Sequence, residues 1–410
     1  MDNNRIVVTG MGAITPLGIG VSSYWKNLYQ GKNGIAALSR FDSKELQVKV
    51  AAEVRDFSPL DFLPRKLVNN TDIFMQFALI AAEEALEQSN LTAKPERIGI
   101  VLGTALGGIS TMAANQEQLS GSGRYRLSPH SVPKMLSNIG AAQIAIAHQL
   151  QGPSLTVSTA CSAGADAIGM AAMLLKAGQA DAVVAVGAES ILTGLMAAGL
   201  SAARALSTQE DPQKASRPFD LNRDGFVMGE GGGAVVLETL ASAQKRDAPI
   251  KAELLGYANC SDAYHVTSPE PSGRGEILAI QQALDQAGLT PSQIDYINAH
   301  GTSTKVGDEI ETKALKAVFG EEMAKQVPVS STKGATGHLM GAGGVTEFIA
   351  CIQAIREGTI PPTLHYQHQD PNCDLDYVPN ESRKKQVTIA MSNSFGFGGQ
   401  NTSLIVSKYQ

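Results

Sequence analysis

Two stretches of this chain read as helices with almost no charge, and such helices restrict its fold more than any other feature. In SAGADAIGMAAMLLKAG (162–178), Asp166 is the only charged residue between Ser162 and Leu175. In GGVTEFIACIQAIREG (343–358), Glu347 is the only one between Ala342 and Ile355. A helix that is apolar on every side belongs inside a large protein, enclosed between layers. Each stretch follows a β-branched run, residues 154–159 or 327–331, through a turn. Small residues open both helices (Ser162, Ala163, Gly164; Ala342, Gly343, Gly344) and allow their backbones to approach closely. The repeated strand, turn and buried helix predict two similar halves facing each other across these helices.

Other segments fit an α/β architecture with buried strands. The further strands are expected at 5–10, 97–103, 181–188, 233–239, 252–258, 294–300, 387–393 and 403–408. Amphipathic or apolar helices are expected at 75–89 and 274–288. No linker or low-complexity run interrupts the chain, and the least periodic stretch lies at 244–250. The expected halves are therefore 1–248 and 249–410. A net charge of −6 over 410 residues argues against nucleic-acid binding. No run of about 18 apolar residues suggests a membrane span. The opening MDNNRIVVTGMG lacks the basic and apolar regions of a secretory signal, so the cytoplasm is the expected location. Four dispersed cysteines without a CxxC pair predict neither a disulfide framework nor a structural metal site.

Cys161 is the strongest candidate for chemistry. It lies in STACSAG (158–164), between a strand and a helix start, where unsatisfied N–H groups and the helix dipole favour a thiolate. A small buried hydrophobe is the plain alternative, and Cys351, mid-helix on an apolar stretch, fits that role. His300 ends the strand run IDYINAH, and His338 immediately precedes the second buried helix. Ligands in open α/β sheets collect where strand ends meet helix starts, which favours both. His130, His148, His265, His365 and His368 read as structural residues of polar loops or helix surfaces. GMGAIT (10–15) resembles half of a dinucleotide fingerprint but lacks its third glycine. In SFGFGGQN (394–401), Phe395 and Phe397 stand among glycines, either as a thin mobile wall or as part of a tight β-turn.

STACSAG, NAHGTSTKVGD (298–308), SSTKGATGHLMGAGG (330–344) and SNSFGFGGQN (392–401) together resemble the elongating β-ketoacyl-[acyl-carrier-protein] synthases. The likeness also takes in RIVVTGMGAITPLG (5–18) and RPFDLNRDGFVMGEGGGAVVLE (217–238), and it spans essentially the whole chain. It implies a duplicated thiolase-like αβαβα five-layer sandwich. It further implies a cytoplasmic homodimer that extends acyl chains by decarboxylative condensation with malonyl carrier protein. No cofactor is expected, although the resemblance allows a structural monovalent cation. Acyl carrier protein bearing acyl and malonyl chains would be the partner.

Residue by residue, Cys161 matches the acyl-accepting nucleophile, and His300 and His338 match the pair used in decarboxylation. Lys333 matches the lysine beside the second histidine, and Glu347 the buried acid behind it. Asp308 matches a second structural acid. The N–H groups of Cys161 and Phe397 match the oxyanion hole, and Phe397, beside Phe395, matches the gate. Thr302 and Thr304 match residues that hold the pantetheine arm, and Leu106 the bottom of the acyl tunnel. Arg65, Lys66 and Arg204 match the carrier-docking patch. The initiating relatives pair Cys with one His and an Asn, and thiolases carry a second catalytic Cys. This chain does neither. Its docking helix reads NNTDIF (69–74) where many fatty-acid members are more basic. That departure leaves a polyketide or polyene ketosynthase as the alternative, and an inactive tunnel-shaping subunit as the non-enzyme rival.

Overall fold

A computed structural model describes residues 5–122 and 126–410. Ten strands run along one mixed sheet, with an eleventh short strand, Gly18–Ile19, folded back on the first. In chain order the ten are β1 (Ile6–Thr15), β2 (Ile98–Gly103), β3 (Ser154–Val157), β4 (Ala182–Ser190) and β5 (Glu230–Thr239). They continue with β6 (Ala252–Ser261), β7 (Tyr296–Asn298), β8 (Val329–Ser330), β9 (Ile389–Gly396) and β10 (Gln400–Ser407). All ten expected strands occur, most within a few residues of their expected bounds.

The order across the sheet is β8-β7-β9-β10-β6-β1-β5-β4-β2-β3. Counted outward from the middle, each half places its first strand, then its fifth, fourth, second and third. The senses repeat as well. β1–β5 and β5–β4 are antiparallel, with β4–β2 and β2–β3 parallel. β6–β10 and β10–β9 are antiparallel, with β9–β7 and β7–β8 parallel. The two halves join through a short antiparallel ladder that pairs Ile6, Val7 and Val8 of β1 with Leu254, Glu253 and Ala252 of β6.

Five helices complete the layers that matter for the site: α1 (Ile73–Ser89), α2 (Ala163–Lys176), α3 (Arg274–Ala287), α4 (Lys305–Phe319) and α5 (Gly343–Glu357). Outside the first half, α1 packs on β1, β4 and β5; outside the second, α3 packs on β6 and β10. Between the halves lie α2 and α5, touching each other and strands of both halves. Every residue of α5 from Gly343 to Ile355 is buried. A fully buried Ile, Leu, Val or Phe side chain contributes about 1.5–3 kcal/mol, so this apolar layer binds the halves together. Glycine permits the contact: a Cβ on Gly344 would lie 2.4 Å from the Ala165 nitrogen, and one on Gly164 would lie 2.6 Å from the Gly341 oxygen.

Both central helices are entered alike. A single 3₁₀ turn, Ala160–Ser162 or Met340–Ala342, precedes α2 or α5. Each turn opens on a non-glycine residue in the left-handed region, Ala160 at φ 53° and Met340 at φ 49°. Backbone strain of that kind persists only where the surroundings enforce it. The GMGAIT segment lies inside β1, paired with β5 from Gly10 to Ile14 and with Gly18–Ile19 at its end, and forms no phosphate-binding turn.

Candidate active site

The turns that start α2 and α5 meet at a cavity of about 390 Å³. Its lining includes Cys161, His300, His338, Phe395, Phe397, Thr302, Thr304, Asp308 and Arg204. Residues from both halves of the chain therefore share one space.

Cys161 occupies the strained turn before α2 and is 7% exposed. The β9–β10 hairpin closes over it, and Gly396 makes that approach possible, since a Cβ there would stand 3.1 Å from the Cys161 nitrogen. The backbone N–H groups of Phe397 and Cys161 both favour the ionised sulfur. Burial nevertheless pushes the thiol up to about 11, against the downward pull of the Phe397 N–H and the Lys333 charge. This corrects the expectation of a preformed thiolate: desolvation outweighs the helix start, and the sulfur is protonated at rest.

His300 follows β7, and its turn is pinned by Glu311 of α4. The Glu311 carboxylate accepts the N–H of His300 at 2.8 Å and that of Gly301 at 2.7 Å. The His338 backbone N–H donates to the Val227 carbonyl at 2.8 Å, and Phe226 meets its ring edge-on at 5.2 Å between centroids. The two imidazoles stand 5.4 Å apart, nearly perpendicular. Met340 N–H donates to His338 Nδ1 at 3.3 Å, which places that ring's proton on Nε2, where no protein group accepts it. Burial, reinforced by the Lys333 charge, holds both histidines well below the ordinary imidazole range. Both are neutral at physiological pH.

Lys333 is buried and ion-paired to Glu347 of α5. Burial pushes the Glu347 carboxyl up while Lys333 pulls it back. Asp308 accepts the N–H of Phe219 at 2.8 Å and of Ser303 at 3.1 Å, tying β7's following loop to the 217–223 segment. Thr302 and Thr304 face each other, hydroxyl to hydroxyl, at 3.0 Å. The SFGFGGQN segment is a tight hairpin turn, Phe397–Gly399, between β9 and β10, and it also presents both phenylalanines to the cavity.

Other expected residues fall elsewhere. Leu106 is 42% exposed and does not line this cavity. Arg65 and Lys66 begin the short helix Arg65–Asn70 and are exposed away from the cavity lining. His365 is a structural residue of its loop, though a buried one, with Nδ1 2.7 Å from the Ser216 carbonyl. Sequence reasoning missed Glu311 and Glu189. Glu189, at the end of β4, accepts the N–H of Leu106 at 3.3 Å and is also bonded to Thr104 and Ala105. Glu311 sits on a polar helix that gives no sign of a buried acid, whereas Glu189, the only charged residue between Asp181 and Arg204, carries that sign. Among the described residues, no group of three or more His, Cys, Asp or Glu is placed to hold a metal ion. No described helix is long and apolar enough to cross a membrane.

Residues 3–243 match the model described as Beta-ketoacyl synthase, N-terminal domain, and residues 251–367 match Beta-ketoacyl synthase, C-terminal domain. A 3-oxoacyl-[acyl-carrier-protein] synthase 2 of Synechocystis sp. is 45% identical over 414 residues, covering 100% of this chain and 99% of that protein. Its counterpart from Coxiella burnetii is 43% identical over 412 residues, with the same coverage. The crystal structure of a Beta-ketoacyl synthase from Burkholderia phymatum STM815 superposes with TM-score 0.91 at 34% identity, covering 99% of this chain and 100% of that one. A chain from a type II PKS acyl-carrier protein in complex with its ketosynthase bound to the hexaketide gives TM-score 0.91 at 33% identity, covering 99% of each.

Proposed function

This chain belongs to the β-ketoacyl synthase family, and on that premise we propose that it lengthens acyl chains on acyl carrier protein by two carbons in fatty-acid synthesis. The observation that carries the reading is one buried cavity holding Cys161 beside two neutral histidines.

The Cys161 sulfur attacks an acyl carrier thioester, forming acyl-S-Cys161 and releasing the carrier thiol, which takes up the proton Cys161 loses. The N–H groups of Cys161 and Phe397 stabilise both the thiolate as it forms and the tetrahedral oxyanion that follows. Malonyl carrier protein then loses CO₂, and the thioester oxygen of the resulting enolate accepts hydrogen bonds from His338 Nε2–H and from His300. Neutral donors suit this role because the enolate gains charge only during the step. The enolate carbon attacks acyl-S-Cys161, and collapse expels Cys161 as thiolate, which takes one proton from solvent. Lys333, held by Glu347, keeps the site's field positive. Thr302 and Thr304 hold the arm, and Phe397 moves to admit the acyl chain.

Glu347 also fits a monovalent cation. Asn298 and Ser392 are register neighbours on β7 and β9, the Asn298 side-chain oxygen is buried without a hydrogen-bond partner, and α5, which carries Glu347, packs on β9. Such an ion would supply charge balance only.

The division at 1–248 and 249–410 is supported by the strand order, which restarts between β5 and β6. The carrier docks on Arg65, Lys66 and Arg204. A cytoplasmic homodimer forms along β3, whose residues Ser154 and Leu155 are exposed at the sheet edge. Met112, Val132, Leu136 and Ile146, all at least 47% exposed, add apolar surface, Ile146 on the helix Asn138–His148 that packs against β3. Leu106 meets the acyl tunnel at that interface. Identity of 43–45% to the two 3-oxoacyl-ACP synthase 2 relatives, against 33% to the polyketide ketosynthase complex, favours the fatty-acid reading.

The test measures the two half-reactions separately in wild type and Cys161→Ala. Wild type should acylate Cys161, seen by intact-protein mass, and release CO₂ from malonyl carrier protein. The Ala variant should lose condensation roughly 10⁴-fold or more while still releasing CO₂. Full condensation by Cys161→Ala would end the proposal.

A further inference from the structure

Five carboxyl groups line the cavity: Asp224, Asp262, Glu276, Asp308 and Glu311. Four have donors of their own, Asp224 from the Ser207 hydroxyl at 2.7 Å. Glu311 holds the N–H groups of His300 and Gly301, and Asp308 those of Phe219 and Ser303. Asp262 takes the Asn401 side-chain amide at 2.6 Å and the Glu270 N–H at 3.1 Å. Glu276, in the first turn of α3, differs. It is 2% exposed, and its Oε2 is buried without a hydrogen-bond partner. A buried polar atom left unsatisfied costs about 1–3 kcal/mol, so its position on a cavity wall points to a ligand that satisfies it.

We propose that the Glu276 side chain hydrogen-bonds an amide group of the pantetheine arm as that arm reaches toward Cys161. The inference rests on the carrier-dependent reading above and adds a residue that the family likeness did not supply. Burial, together with the charges of Glu311, Asp262 and Asp308, pushes the Glu276 carboxyl well above the usual range. That direction favours the protonated form, which offers one O–H donor and one carbonyl acceptor. A secondary amide offers the matching acceptor and donor. An ionised carboxylate would lack the donor, and an apolar side chain would lack both. The wall thus suits an uncharged amide-bearing arm and disfavours an anionic segment at that depth.

The experiment compares wild type, Glu276→Gln and Glu276→Met, using enzyme acylated on Cys161 with either malonyl carrier protein or malonyl-pantetheine. Glutamine keeps a donor and an acceptor, whereas methionine keeps only the volume. KM for both malonyl donors should rise roughly 3–10-fold in Glu276→Met, the loss of about one hydrogen bond, with kcat within twofold. KM in Glu276→Gln should stay within twofold of wild type. If the Met chain does not fold, Glu276→Ala carries the same comparison, and if malonyl-pantetheine is not turned over, KM for malonyl carrier protein decides. An unchanged KM in the apolar variant overturns the assignment. So does equal impairment of Gln and Met, or a fall in kcat at constant KM. A wild type inactive toward malonyl carrier protein would instead overturn the functional reading on which this rests.

Discussion

Asp166 and Glu347 hold matching places in the two halves, the fourth residue of α2 and the fifth of α5, yet they are satisfied in opposite ways. Asp166 is met by neutral donors only. Ser162 Oγ lies at 3.0 Å, Tyr257 Oη at 3.1 Å, Asn259 Nδ2 at 2.9 Å and Thr402 Oγ1 at 2.7 Å, with Thr159 Oγ1 closing the set. These donors come from the Cys161 turn and from β6 and β10 of the other half, so the carboxylate fastens the nucleophile's loop across the interface. Glu347 is met by one cation, Lys333, with a long 3.5 Å bond from the Thr332 hydroxyl beside it. The Lys333 end of that pair acts on His300 and His338, which helps to keep both uncharged. A duplicated framework has thus been given one half that fixes geometry and another that sets the electric field.

The sharpest way to break this contrast is Glu347→Gln. Removing one partner of a buried ion pair leaves the other charge uncompensated and costs about 3–5 kcal/mol. Urea unfolding should show that loss, and the double variant Lys333→Met with Glu347→Met should recover most of it. A cost below about 1 kcal/mol for the single change would show that the pair does not carry a buried charge.

Next in size is the division of labour. His300→Ala or His338→Ala should lower CO₂ release from malonyl carrier protein about 10²–10³-fold, the usual consequence of losing one oxyanion donor. Acyl transfer to Cys161 should remain measurable by mass. Equal loss of both half-reactions would erase the distinction between the halves.

The smallest effect belongs to Asp166→Asn. Weakening charged hydrogen bonds costs about 1.5–3 kcal/mol. Unfolding should register this, and acyl transfer should slow more than decarboxylation. A variant that slows CO₂ release first would contradict the assignment of Asp166 to the nucleophile's loop.

Much of this was legible in the sequence because the buried helices announce themselves by lacking charge. Asp166 and Glu347 stood out for the same reason: a lone carboxyl in an apolar helix has to be satisfied by something. The strands were equally plain, since β-branched runs between small-residue turns have few alternatives. Glu276 and Glu311 were not legible. Each lies on a helix that carries many polar residues, RGEILAIQQALDQA or KVGDEIETKALKAVF, where a glutamate normally faces water. Only the packing of α3 and α4 against the cavity buries them. The Cys161 thiol was misjudged for a related reason. A helix start can be recognised from residue types, but the depth of burial that overrides it depends on the β9–β10 hairpin, more than 230 residues away.

The nested strand order has a consequence for synthesis. β1 leaves the ribosome well before its neighbours β5 and β6, which lie at residues 230–239 and 252–261. At translation speeds of about 5–20 residues per second, the apolar segment Ile6–Thr15 waits roughly 10–50 s for a strand to pair with. Among the described residues, the only earlier partner for its edges is the two-residue Gly18–Ile19. Until β5 emerges, the strand that will become the middle of the sheet therefore has no full-length partner along either edge.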